Sequence, residues 1–100
     1  MEKPTINKEG AAFLFGHIKS LTTQAESDVH SGRLELAHHK IIEAQALLSV
    51  LAWNRSNCVY RIYRIEAQHE INKARNLRLS RLLDDVWLDR SKNAPNERSN

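Results

Sequence analysis

Proline is almost missing from this chain of 100 residues: the two present, Pro4 and Pro95, both stand near the ends. A proline within a helix removes a hydrogen bond and costs roughly 3 kcal/mol, so the interior is free of the strongest helix breaker. Glycine is nearly as scarce, with Gly10, Gly16 and Gly32 the three examples. The single cysteine, Cys58, excludes an intrachain disulfide and with it the stapled framework of a small secreted domain. No stretch of roughly 18 apolar residues exists to span a bilayer, and Met1 to Gly10 lacks the apolar segment of a signal peptide. These absences lead to the expectation of a cytoplasmic protein that does not enter membranes.

Catalytic signatures are missing as well. There is no glycine-flanked nucleophile in a Ser-His-Asp order, no phosphate-cradling glycine loop and no zinc-protease motif. A small helical bundle also has little room for a concave pocket, so the chain reads as a non-enzyme that needs no cofactor. What is present is ordinary for a globular domain, with 41% hydrophobic and 27% charged residues. The formal charge of +3 permits an acidic partner without requiring one.

Apolar residues recur every three or four positions through Leu14, Ile18, Leu21, Ala25 and Val29, with Phe13 and Phe15 widening the stripe. That period predicts a first helix from an Asn7 cap to about His30, stopped by Ser31 and Gly32, since glycine most cheaply takes the left-handed conformation at a helix end. It resumes through Leu34, Ala37, Ile41, Ala44, Leu48 and Leu51, giving a second helix antiparallel to the first. Gly32, Ala37 and Ala44 resemble the Gly and two Ala of a tetratricopeptide hairpin. The resemblance covers about a dozen residues with no second repeat, and it implies shared hairpin geometry alone.

Asn54, Arg55, Ser56 and Asn57 supply cap-like residues, so a turn is expected there and a third helix from about Asn57 to Asp89. The alternative is one unbroken helix from Leu34 to Asp89, because the stripe continues in phase through Val59, Ile62 and Ile65 to Leu79, Leu83 and Val86. The expected fold is therefore all-α: an antiparallel hairpin plus a long third helix in a three-helix bundle, or a hairpin with an extended second helix. Residues 1–7 and 91–100 are expected to be flexible tails around a single helical domain over 8–90. The last helical segment outruns the first, and Leu79, Leu82, Leu83, Val86, Trp87 and Leu88 crowd its end, which leads to the expectation of a homodimer.

Metal-ligand spacings occur in fragments. Glu35 with His38 and Glu66 with His69 match Glu-x-x-His, but the first pair projects away from the expected core and the second lies beside it, so they do not converge. His38, His39 and Glu43 lack a defined fourth ligand, and no metal is expected. Cys58, on the apolar stripe, reads as a buried inert side chain.

Arg55, Arg61, Arg64, Lys73, Arg75, Arg78 and Arg81 are answered in the same stretch only by Glu66 and Glu70. On a wheel Arg61, Arg64, Arg75 and Arg78 fall opposite the apolar stripe, with Tyr60, Ile71 and Trp53 nearby. A guanidinium grips anions and stacks on flat groups, so these residues are the candidate partner-binding set. The expected partner is a larger protein or a protein–nucleic acid complex, approached by a small adaptor or regulatory inhibitor. Accessory proteins of phages and plasmids often have this size and class, which is an analogy of form alone. The alternative is direct nucleic-acid binding, with the arginines on phosphates and Tyr60 or Tyr63 stacking on bases.

Overall fold

The computed structural model describes residues 8–52 and 58–93, with side chains placed over 8–52 and 61–87. It contains three helices: α1 Lys8–His30, α2 Leu34–Ala52 and α3 Cys58–Asn93. Each packs against the other two. Phe15, early in α1, stacks on Tyr63, early in α3, while Arg78 late in α3 reaches Leu34 at the start of α2. So α3 runs parallel to α1 and antiparallel to α2, and the chain reverses between Ala52 and Cys58. The unbroken second helix is thereby ruled out. α3 continues past the expected end near Asp89 to Asn93, a shift of the size by which frayed helix ends vary.

The α1–α2 turn is built as the spacing predicted. Gly32 has φ +82°, its N–H donates to the Val29 carbonyl at 3.0 Å, and the Arg33 N–H donates to the Asp28 carbonyl at 2.7 Å. These two bonds make a Schellman motif, which satisfies carbonyls that the end of α1 would otherwise leave open. A Cβ on Gly32 would meet Arg81 Nη2 at 3.7 Å, an ordinary contact, so conformation and not crowding sets the cost of a side chain there. Gly32→Ala should destabilise the protein by about 1–2 kcal/mol, the usual left-handed penalty, read from denaturant unfolding.

The core departs from expectation in α3. Its wholly buried residues are Ala67, Ile71 and Ala74, which meet Ile18, Leu21, Ala25 and Val29 of α1 and Ala37, Ile41, Ala44, Leu48 and Leu51 of α2. Ile62, Ile65, Leu79, Leu83 and Val86, expected to face inward, are 58%, 57%, 46%, 69% and 62% exposed. The helix is turned so that its bulky stripe faces out. Ile71, expected among the arginines of a binding face, is fully buried and leaves that set. Small side chains at 67 and 74 allow α3 to approach two helices at once, and close packing of backbones favours them over bulk.

Among the described residues six of the thirteen in the core are alanine, so the interior buries little apolar area for its length. At about 1.5 Å per residue the 36 residues of α3 extend roughly 54 Å, against roughly 35 Å for α1. α3 therefore projects beyond the α1–α2 turn after Arg81. The dimensions of 64 × 25 × 21 Å and radius of gyration of 18.3 Å reflect that rod, a compact 100-residue domain having about 13 Å.

Candidate interaction surface

The arginines of α3 divide into two groups according to what holds them. Arg78 Nε donates to the Leu34 carbonyl at 2.9 Å, and Arg81 Nη1 donates to the Val29 carbonyl at 3.2 Å. Both reach across to the turn between α1 and α2, and Arg81 places its charge at the negative end of the α1 dipole. Arg81 also stands 3.5 Å from Asp85. Arg78, expected to be a partner contact, is thus half-buried and engaged in holding α3 on α2. Arg61 is exposed, and Arg64 and Arg75 are half-buried; none of the three has an ion-pair partner among the described residues. Lys73 is shared between Glu26 at 3.8 Å and Glu70 at 3.7 Å, so its charge is spent on the α1 side.

Of these three arginines, Arg75 stands where α3 borders α2. There His38, Ile41, Ile42 and Gln45 of α2 and Arg75, Arg78 and Leu79 of α3 line a groove of about 220 Å³. Its floor is apolar through Ile41, Ile42 and Leu79, and Arg75 brings an uncompensated guanidinium to its rim. Chemically this suits a side chain that is apolar at one end with a carboxylate or other anion beside it. The α2 residues were missed by the sequence reading, although Ile42 beside the stripe residue Ile41 marked a flank too apolar for plain solvent exposure.

Leu79, Leu83, Val86 and Trp87, expected at a dimer or packing contact, are exposed on α3, and Leu82 is half-buried. Tyr63 is half-buried against Phe15, with ring centroids 5.1 Å apart, so it is taken up by packing rather than offered for stacking. The side chains of Tyr60, Cys58, Val59 and Leu88, and all of Trp53 and Arg55, lie outside the described residues. Glu66 and His69 sit on the outer face of α3 rather than beside the core, and Glu35 is exposed while His38 turns to the groove. Among the described residues no three His, Cys, Asp or Glu side chains gather as a metal site, and no helix is long and apolar enough to cross a membrane.

A charge cluster not foreseen from the sequence sits behind the turn. Asp28 is buried, with Lys40 Nζ 2.7 Å from its Oδ2 and Arg33 Nη2 3.3 Å from its Oδ1. A hydrogen bond from the Lys40 ammonium holds the Asp28 carboxyl below its ordinary value, against the burial that would raise it, with Arg33 adding to the lowering. Its place in the stripe between Ala25 and Val29 was the available signal.

Compared with protein-family models, with curated proteins and with solved structures, the chain finds no match.

Proposed function

We propose that this protein is a non-enzymatic helical interaction module that docks on a larger protein through the α2–α3 groove and the basic flank formed by Arg61, Arg64 and Arg75. The observation that carries this reading is an inversion of bulk: among the described residues alanine fills nearly half of the core while nine large apolar side chains are exposed, six of them on α3. A chain that served only to fold would gain about 1.5–3 kcal/mol from each such side chain by burying it, so their placement outside favours a surface kept for contacts. The rim arginines supply orientation and selectivity for an acidic surface, and the apolar floor supplies the hold. An adaptor or an inhibitor of a nucleic-acid-processing complex fits this chemistry, the bound segment being acidic and apolar.

The test is affinity capture from the native host with wild-type bait and with the double variant Arg64→Glu, Arg75→Glu. The expected result is a stoichiometric partner held by the wild type and lost by at least about tenfold from the variant, which should keep its helical circular dichroism. Equal capture by both would remove the basic flank from the function. Salt dependence separates the alternative: affinity for a phosphate backbone contacted several times should fall by roughly orders of magnitude between about 50 and 200 mM salt, whereas docking on the groove should change little.

A further inference from the structure

The outer face of α3 carries a pattern of its own. Ile62, Ile65, His69, Asn72, Asn76, Leu79, Leu83 and Val86 follow one another at alternating spacings of three and four, and all eight are exposed. That is the a and d seam of a heptad coiled coil, lying on the side of α3 away from Ala67, Ile71 and Ala74. It is apolar at both ends and polar in the middle. We infer that the occupant of this seam is a second copy of the chain, paired through α3 as an antiparallel coiled coil centred on Ala74.

In that arrangement Ile62 meets Val86 of the other copy, Ile65 meets Leu83, His69 meets Leu79 and Asn72 meets Asn76. Ile62, Ile65, Leu83 and Val86 each gain an apolar partner, Leu79 packs on the His69 ring, and two central layers pair amide with amide, a device that specifies register. A parallel pairing would instead set His69 on His69, Asn72 on Asn72 and Asn76 on Asn76, three like polar layers in a row.

Charge points the same way. The antiparallel arrangement brings the turn bearing Arg61 and Arg64 beside the turn bearing Asp84 and Asp85 of the other copy; the parallel one sets Asp84 and Asp85 beside their own duplicates. Arg75, near the two-fold axis, is drawn aside into the α2 groove. Shape agrees too. An open depression on α3 is lined by Ile65, Gln68, His69 and Asn72, with Arg64 at its edge. Positions 65, 68, 69 and 72 are the four that form the hole for one knob in a coiled coil, and the centring on Ala74 delivers Leu79 of the other copy to it.

Area is sufficient. Five large apolar side chains of the seam and the neighbouring Trp87 are each between 46% and 69% exposed along about seven turns of helix, a surface of the extent a stable interface uses, about 800 Å² per partner. The overhang of α3 beyond Arg81 is covered as well, since Leu83 and Val86 land on the part of the other α3 that its own bundle supports. The seam shares Leu79 with the α2–α3 groove, while His38, Ile41, Ile42, Gln45 and Arg75 of that groove stay outside it.

Sedimentation of the full chain at about 100 µM should give twice the monomer mass, and Leu83→Asp and Ile65→Asp should each give a helical monomer. Orientation is read by disulfide trapping in a Cys58→Ser background. Ile65→Cys and Leu83→Cys chains should cross-link when mixed, and neither should cross-link alone, because in the antiparallel pair identical positions stand about 27 Å apart along the axis. A monomeric wild type, or a dimer that survives both aspartates, would overturn the seam. Self-cross-linking of Leu83→Cys would overturn the antiparallel register, and no partner protein is needed for any of these readings.

Discussion

Ile71→Ala should lower the free energy of unfolding by about 2–5 kcal/mol, the usual range for emptying a fully buried aliphatic site. Leu83→Ala, on the same helix and of similar size, should change it by no more than about 0.5 kcal/mol when measured in an Ile65→Asp background that isolates the single chain. Ile71 sits between α1 and α2 with no exposed surface, whereas Leu83 lies on the opposite side of α3 and mostly in solvent. The pair of values therefore measures which way α3 faces. Urea unfolding followed by circular dichroism gives both numbers, since midpoint and slope separate a change of stability from a change of mechanism. Equal losses at the two positions, or a larger one at Leu83, would mean that the bulky stripe is the buried one.

That orientation is also where sequence and structure part. The α1–α2 hairpin was legible because its information is local: Gly32 marks the left-handed turn, and the stripes through Ile18 and Val29 and through Ile41 and Leu48 are the faces that the two helices bury. In α3 two faces compete, one bulky through Ile62, Ile65, Leu79 and Leu83, the other small through Ala67 and Ala74 with Ile71 between. Hydrophobic periodicity reports the direction of greatest bulk, which is the seam, and is silent about which neighbour covers it. The inward face is fixed by fit to two helices and by Arg78 and Arg81 grasping carbonyls distant in the chain. Contacts of that range leave no periodic trace. The same orientation leaves His69, Asn72 and Lys73 exposed, polar residues that a dry core would not tolerate unpaired.

The candidate site was read in part for the same reason. Arg61, Arg64 and Arg75 were recognisable as an excess of one charge, and they remain without ion-pair partners among the described residues. Arg78 belongs with them by composition but not by geometry, because its guanidinium is used against Leu34. Charge counting along a sequence sees the number of cations and not their engagements. The α2 side of the groove depends on where α3 lies against α2, which no local pattern in the sequence encodes.

Acidification should weaken the fold through Asp28, and removing that carboxylate should cause the largest loss of any single charge substitution. The other ion pairs, such as Arg81 with Asp85, are open to solvent and worth about 0–1 kcal/mol each. Asp28 is buried and answers two cations, so its loss leaves the Lys40 ammonium facing a site with no counter-charge. Because the folded chain holds the Asp28 carboxyl below its unfolded value of about 3.9, the fold favours the ionised form. The stabilisation is complete above the ordinary carboxylate range and disappears as the pH falls through the lowered folded value. Asp28→Asn keeps the shape and removes the ionisation. Its urea midpoint should therefore lie well below that of the wild type at pH 7, and the gap should close as both are titrated to about pH 2. Lys40→Met should also be destabilising at pH 7, by stranding the carboxylate, and should recover part of its loss on acidification. A gap between wild type and Asp28→Asn that stays constant from pH 7 to pH 2 would show that the buried carboxylate contributes through shape and not through charge.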